Sequence, residues 1–169
     1  MTAAAGTAGA AIITCSNRSA AGARDDQSGE LLAEAVTEWG FDLVSRAVVP
    51  DELAAIQDAV RAAVAAGARL VLTTGGTGVT PTDVTPEAVS PLLERQIPGI
   101  AERLRAANVD RVPTAALSRG VAGLIGDALV VTLPGSPGGV RDGIAVLQPL
   151  VGHVLDQVVG GDHRPGGGV

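Results

Sequence analysis

Two glycine-rich segments of this sequence combine residue types that can bring a backbone close to a ligand. The first, TTGGTGVTPTDVTPEA at residues 73–88, holds three glycines, two prolines and six threonines, and it follows an apolar run. Glycines permit positive φ, and successive backbone N–H groups can form an anion-binding nest. Threonine hydroxyls can add hydrogen bonds to a phosphate or a heterocycle. The candidate contacts are Thr74, Gly75, Gly76, Thr77 and Gly78.

The second segment, LPGSPGG at residues 133–139, also follows an apolar run, and its candidate contacts are Pro134, Gly135 and Ser136. Ser136 suits a helix N-cap and Pro137 suits the first helical turn, so free N–H groups would point outward there. Both segments have plainer alternatives. The first would serve as a strand-to-helix turn, and capping alone would explain Ser136.

Two carboxylates accompany these loops. Asp51 follows the second predicted strand, and Asp83 lies at the end of the first glycine loop. Carboxylates in strand-end loops can hold Mg²⁺ or accept hydrogen bonds from the N–H groups of a heterocycle. The alternatives are an N-cap of helix 52–66 for Asp51 and an Asx turn for Asp83.

Three further polar residues follow predicted strands, namely Ser16, Ser118 and Arg119. An arginine at a strand end could bind a phosphate with two hydrogen bonds, although a solvated surface side chain is the alternative.

Other kinds of catalytic site find no support in the sequence. All 12 basic residues are arginine, so a Walker phosphate loop and a Schiff-base lysine are ruled out. Two distant histidines make a hydrolytic triad improbable, Cys15 is expected in the core, and Asp25-Asp26 in a solvated loop.

Alternating elements position these residues. Hydrophobic spacing predicts strands at 11–16, 41–49, 69–74, 114–118 and 128–134, and helices at 28–40, 51–67, 98–107 and 136–159. Another helix is expected to begin with Thr85 as N-cap, Ser28 is the expected N-cap of the first helix, and Pro149 is expected to kink the last. The sequence thus predicts an α/β fold, a three-layer, doubly wound, mostly parallel sheet with helices on both faces. Ligands bind such sheets beyond the carboxyl ends of the strands.

Bulk composition limits the possible partners. We expect one domain at residues 10–159, a disordered N-terminus at 1–9 and a flexible tail at 160–169. The net charge of −6 and the pI near 4.8 argue against nucleic acid or an anionic membrane as a partner. The single cysteine cannot form an internal disulfide, and neither a signal peptide nor a membrane-spanning run is evident. A cytoplasmic protein is expected.

Eight motifs in chain order carry a resemblance to a known family. They are ITCSNR (13–18), DQSG (26–29), VPDE (49–52), TTGGTG (73–78), DVTPEA (83–88), IPG (97–99), LSR (117–119) and LPGSP (133–137). Together they resemble the molybdopterin-binding family of molybdenum-cofactor biosynthesis, that is, the Mog and MoaB proteins and the corresponding domains of gephyrin and Cnx-type proteins. The resemblance covers about residues 10–158.

The resemblance implies a function and a site. Active members of the family transfer AMP from ATP to the phosphate of molybdopterin with Mg²⁺, release pyrophosphate, and pass the product to a molybdate-insertion protein. A homotrimer is implied. The essential acids of the family correspond to Asp51 and Asp83, which are also the candidate Mg²⁺ ligands, and its pterin-phosphate contacts correspond to Ser118, Arg119 and Ser136.

Two departures leave an alternative open. Asn17 and Thr82 stand where many adenylyltransferases have aspartate and arginine. A MoaB-like protein that binds molybdopterin without transferring AMP is therefore the alternative. Because both carboxylates are present, catalysis is favoured.

Overall fold

A computed structural model describes residues 7–161 as one six-stranded sheet with helices on both faces. The strands are β1 (Gly9–Cys15), β2 (Asp42–Val49), β3 (Ala68–Thr74), β4 (Arg95–Gln96), β5 (Ala122–Ile125) and β6 (Ala128–Leu133). The α-helices are α1 (Asn17–Ala20), α2 (Gln27–Glu38), α3 (Leu53–Ala65), α4 (Thr85–Val89), α5 (Pro98–Ala106) and α6 (Pro137–Val158). Two 3₁₀ helices, Ser90–Leu92 and Pro113–Leu117, complete the elements. The predictions for residues 1–6 and 162–169 lie outside the described residues.

The sheet order is β2-β1-β3-β6-β5-β4. The strands β2, β1, β3 and β6 run parallel, whereas β5 is antiparallel to β6 and β4 is antiparallel to β5. In register, Thr14 lies beside Thr74, and Thr74 lies beside Leu133. The three central strands therefore end at one edge, and the mostly parallel sheet predicted from the sequence is confirmed.

Alternating side chains bury both faces of the sheet. Ala10 and Ile12 of β1 pack into a cluster with residues of α2, α5 and α6, while Ala11 and Ile13 pack into a second cluster with residues of α3 and α4. Strands covered on both faces have near-continuous apolar runs, as β1, β3 and β6 do. The predicted three layers follow from this packing.

Helix ends depend on a few residues. Gly40 and Gly67 have φ of +87° and +91° and follow the ends of α2 and α3, where glycine lets the chain leave the helix. Ser136 caps α6 by accepting from Gly139 N at 3.1 Å, also as predicted. The predicted N-cap of α2 was wrong, because Asp26 rather than Ser28 accepts from Gly29 N at 2.9 Å.

Two further expectations were wrong, namely a strand at 114–118 and Thr85 as an N-cap. Residues 114–118 do not form a strand but belong largely to the 3₁₀ helix Pro113–Leu117, whose first residue needs no N–H partner. Pro149 lies inside α6, which continues to Val158, and Leu147 and Val151 on either side of it are packed in the core; the expected kink stays a prediction. Thr85 is the first residue of α4 and not its N-cap, which is Val84.

Candidate functional site

The two glycine loops meet at the edge where the parallel strands end. Thr74 Oγ1 donates to the carbonyl oxygen of Pro134 at 2.7 Å, and Gly75 N donates to that of Leu133 at 3.1 Å. A Cβ added to Gly135 would lie 3.2 Å from Gly75 Cα, so the two backbones are nearly in contact. Gly75 has φ of +97°, and a Cβ there would overlap the carbonyl oxygen of Cys15. Glycine is therefore required at position 75.

Thr85, the first residue of α4, holds the first glycine loop in place. Thr85 is fully buried, its Oγ1 donates to the carbonyl oxygen of Gly75 at 2.9 Å, and its backbone N donates to that of Gly76 at 3.1 Å. Gly76 has φ of +65°, in the left-handed region that glycine tolerates. A buried threonine thus holds a glycine turn, and this turn also lines a cavity.

Asp51 lies beside this turn with one oxygen unpaired. Asn17 N donates to Asp51 Oδ2 at 3.0 Å, and Asp51 N donates to Asn17 Oδ1 at 2.9 Å. Asp51 Oδ1 is buried without a hydrogen-bond partner and lies 3.3 Å from the position that a Cβ on Gly76 would occupy. Asp51 does not cap α3, whose N-cap is Glu52. A buried, unpaired carboxylate oxygen is costly unless a ligand completes it, so this oxygen fits a cation or an N–H donor.

Asp83 stands at the other end of the glycine loop. Its Oδ2 accepts from Thr80 N at 3.0 Å and from Thr80 Oγ1 at 2.8 Å, and it lies 2.7 Å from the position of a Cβ on Gly78. Asp83 therefore shapes its own loop, which is the structural role considered as an alternative, and it also lines the cavity. The structure brings both predicted carboxylates to the same four-residue glycine turn.

Arg119 holds the loop from the opposite side. Its Nε donates to the carbonyl oxygen of Gly78 at 2.7 Å, its Nη2 donates to that of Asp83 at 2.7 Å, and its Nη1 forms an ion pair with Glu87. The hydrogen bond from Arg119 holds the pKa of the Glu87 carboxyl below its usual value. The guanidinium is thus engaged by protein acceptors on each of its nitrogens.

A cavity of about 500 Å³ opens in front of the loops. Gly76, Thr77, Gly78 and Asp83 line it from the first loop. Ser118, Pro134, Gly135 and Ser136 line it from the other segments predicted to contact a ligand. The volume suits a bound organic molecule of moderate size.

The facing wall of this cavity was missed by the sequence analysis. It consists of residues from α5, the turn that follows it, the 3₁₀ helix Pro113–Leu117 and α6, chiefly Leu104, Arg105, Asn108, Thr114, Leu117 and Asp142. Leu117 belongs to the LSR motif and the IPG motif begins α5, but no motif marks the other residues of this wall. Their part in the site depends on how the helices pack.

A smaller polar cavity of about 40 Å³ shares Gly135 with the first cavity and is also lined by Ser16, Thr74 and Gly75. Beside it, Ser28 Oγ donates to the carbonyl oxygen of Gly135 at 2.9 Å, so α2 also supports the second loop. Asp26, expected in a solvated loop, instead has a side chain that is 11% exposed and accepts from Thr14 Oγ1 at 2.8 Å and from Arg46 at 3.0 Å. Burial against β1 explains the difference.

The remaining reactive groups offer no alternative site. Burial raises the pKa of the Cys15 thiol to about 12, so it stays protonated in the core, as expected. Within residues 7–161, no three histidine, cysteine, aspartate or glutamate side chains are grouped to hold a metal ion. A Mg²⁺ ion commonly binds to only one or two protein carboxylates and takes its other ligands from substrate phosphates and water. Asp51 and Asp83 could provide the carboxylates. None of the helices in this part of the chain is long and apolar enough to span a membrane.

Comparison with known proteins gives the family. The model of a probable molybdopterin binding domain matches residues 11–153. The chain belongs to this family. Its match covers β1 through most of α6, and so it includes both glycine loops, both carboxylates and the facing wall of the cavity.

Related proteins agree with the family in sequence and in structure. The Mog protein of molybdopterin biosynthesis from Mycobacterium ulcerans superimposes with a TM-score of 0.86 at 45% identity, over 90% of this chain and 99% of that one. A molybdopterin adenylyltransferase of Pyrococcus furiosus is 36% identical over 85% of this chain and 87% of its own. The α/β fold shared by Mog and MoaB proteins is thereby confirmed.

Another relative is much longer than this chain. The molybdenum cofactor biosynthesis bifunctional protein of Synechococcus elongatus is 42% identical over 91% of this chain but only 48% of its own length. The chain therefore spans about half the length of such relatives, or less in the case of a gephyrin. Family membership supports a role in molybdenum-cofactor biosynthesis.

Proposed function

We propose that this chain binds molybdopterin and ATP and transfers AMP to the pterin phosphate. A phosphate oxygen of the pterin attacks the α-phosphorus of ATP, the bond from that phosphorus to the bridging oxygen breaks, and pyrophosphate leaves. The observation that carries the proposal is the buried, unpaired Oδ1 of Asp51 beside the glycine turn. The adjoining cavity and a relative named molybdopterin adenylyltransferase support it.

In this proposal the protein acts by position and charge, because phosphoryl transfer needs no protein nucleophile. Asp51 and Asp83 would hold Mg²⁺, which supplies neutralisation of the phosphate charge when it is bound. The N–H groups of Gly76, Thr77 and Gly78 and the N-terminus of α6 offer donors to anionic oxygens, whereas Gly75 N already donates to Leu133. The product would pass to a molybdate-insertion protein. The cytoplasmic location stays a prediction.

The test is a single-turnover assay of the purified chain with molybdopterin, ATP and Mg²⁺, in which adenylylated pterin and pyrophosphate are measured. Stoichiometric product would support the enzyme. Tight molybdopterin binding without any product would instead favour a MoaB-like binding protein, and reversion of Asn17 to aspartate and of Thr82 to arginine would then be the next experiment.

Asp83→Ala is expected to abolish AMP transfer while the protein stays folded. The substitution removes a charge at the glycine turn and two hydrogen bonds within an exposed loop, and it leaves the core untouched. Asp83→Asn separates the two losses, because the amide oxygen can still accept from Thr80. If either variant transferred AMP at the wild-type rate, the role proposed for Asp83 would be wrong.

We further propose that the homotrimer implied by the resemblance assembles through β2. β2 is an edge strand that pairs only with β1 among the described residues. Leu43, Val44 and Val48 of β2 and nearby Leu53 are each between 39% and 48% exposed. An unpaired edge with apolar side chains commonly marks an interface with another chain. A second copy of this chain is the partner proposed.

Val44→Asp is expected to shift the assembly toward monomer, because it places a charge on the proposed interface. Sedimentation velocity measures the mass, and Val159→Asp, on the exposed residue that follows α6, is the matched control. If Val44→Asp sediments as the wild type does, β2 is not the interface.

A further inference from the structure

The wall of the large cavity opposite the glycine loops holds one arginine that the sequence analysis did not consider. Arg105 lies in the last turn of α5 and is half-buried. Its Nη1 donates to the carbonyl oxygens of Gly120 at 3.1 Å and Ser118 at 3.4 Å. Among the residues that line the cavity, Arg105 is the only one with a positive charge.

The rest of the Arg105 guanidinium has no acceptor among the described residues. Neither its Nε nor its Nη2 donates to a protein group there, and no carboxylate of residues 7–161 forms an ion pair with it. A guanidinium presents its donors as a planar fork that matches phosphate oxygens. One nitrogen is thus anchored to the backbone while other donors remain for a ligand.

The acid in the same wall does not neutralise Arg105. Asp142 Oδ2 accepts from Asn108 Nδ2 at 2.7 Å, and its Oδ1 lies 3.8 Å from Arg111 Nη2. The carboxylate of Asp142 is therefore satisfied by a neighbouring amide and a different arginine. Arg105 remains an unpaired cation in a partly enclosed site of an acidic protein, where an anionic group would gain most from it.

Arg119 cannot easily supply the same contact. Its Nε, Nη1 and Nη2 already donate to Gly78, Glu87 and Asp83, and it does not line the cavity. A phosphate that recruited the Arg119 guanidinium would have to break hydrogen bonds that hold the glycine loop. Arg105 can bind a phosphate without such a loss.

We propose that Arg105 binds a phosphate group of the substrate and determines the preference of the site for phosphorylated ligands. This inference rests on the proposed function. The shared chemistry is a phosphate oxyanion, and two sources are available, the phosphomonoester of the pterin and the polyphosphate of ATP. The position of Arg105 beside Ser118, which the resemblance assigns to the pterin phosphate, favours that phosphate.

The test compares ligands that differ only in phosphate. Equilibrium affinities of wild type, Arg105→Gln and Arg105→Lys are measured for molybdopterin and for its dephosphorylated form, without ATP. A hydrogen bond to a charged group corresponds to a factor of about 10 to 100 in affinity. We expect the wild-type preference for the phosphorylated pterin to fall by about that factor in Arg105→Gln and by less in Arg105→Lys, which keeps the charge.

A merely structural role would not change this ratio. If Arg105 only supported the carbonyls of Ser118 and Gly120, its loss would weaken the binding of both pterins equally and leave the preference intact. Together with unchanged pyrophosphate binding, that result would overturn the inference. Thermal unfolding shows whether each variant is folded. Arg103→Gln is the matched control, since Arg103 is an exposed arginine on the same helix outside this cavity, and it should retain the full preference.

A second measurement shows whether the phosphate belongs to the pterin or to the nucleotide. It also distinguishes failure of this inference from failure of the proposed function. Inorganic pyrophosphate is titrated into the same variants. Weaker pyrophosphate binding in Arg105→Gln with an unchanged pterin preference would assign Arg105 to the nucleotide. No change with either ligand would overturn the inference even where wild type transfers AMP. If wild type bound neither pterin, the proposed function would fail, and the pyrophosphate result alone would decide whether Arg105 binds phosphate.

Discussion

Asp51→Asn is expected to lower the rate of AMP transfer by at least about 100-fold while leaving the protein as stable as the wild type, or more so. The asparagine can still accept the hydrogen bond that Asn17 N donates to Oδ2. It replaces a buried, unpaired carboxylate oxygen with a neutral group, so the folded state no longer bears the free-energy cost of burying that charge. The proposed site loses the charge that would meet Mg²⁺. Single-turnover rates and equilibrium unfolding by denaturant give the two quantities.

The combination of lost activity and retained stability distinguishes a functional carboxylate from a structural one. Asp58→Asn is the matched control, because Asp58 lies on α3 with a side chain that is 79% exposed and pairs only with Arg61 in the described structure. It should change neither quantity measurably. A large loss of stability in Asp51→Asn would instead make Asp51 a structural anchor of Asn17.

Gly75→Ala is expected to destabilise the protein by roughly 3 kcal/mol or more and to remove molybdopterin binding. The methyl group would overlap the carbonyl oxygen of Cys15, which is backbone in the central strand β1 and cannot swing aside. The residue would also be forced to adopt φ of +97°. Any relief of the overlap separates β1 from the first glycine loop. Thermal unfolding and pterin titration measure the two effects.

Comparison with Gly40→Ala isolates the steric part of the effect of Gly75→Ala. Gly40 has a similar φ of +87°, but a Cβ there would meet no atom within 4 Å. It therefore incurs the backbone cost alone, about 1 kcal/mol, and should bind ligand normally. Equal destabilisation in the two variants would show that the close approach of the Gly75 backbone to Cys15 is not important.

The loops of the candidate site could be predicted from the sequence because local rules determine them. Short apolar runs followed by glycine and threonine indicated the strand ends, and Ser136 with Pro137 indicated the start of α6. Residues 114–118 were mistaken for a strand, since a short run of alanine, threonine and leucine has no helical or alternating period that distinguishes the two.

The facing wall could not be predicted in the same way. Arg105 and Asp142 are ordinary polar residues of helices, Asn108 lies in the turn that follows α5, and all three reach the cavity only through the packing of α5 and α6. Asp26 was misjudged for a related reason. Its partners, Thr14 and Arg46, belong to two neighbouring strands, and their approach depends on the pairing of β1 with β2 rather than on adjacent sequence. Tertiary contacts of this kind leave no local pattern.

The parallel pairing of β1, β3 and β6 also determines when a growing chain can acquire its site. Asn17 and Asp142, at the two extremes of the site, are separated by most of the domain. Pairing such remote segments is slow, because loop closure must precede the contacts that stabilise it. During synthesis, both carboxylates and the first glycine loop leave the ribosome well before β6 and α6, which complete the cavity. Ligand present during refolding should therefore accelerate only the last steps, after α6 has docked.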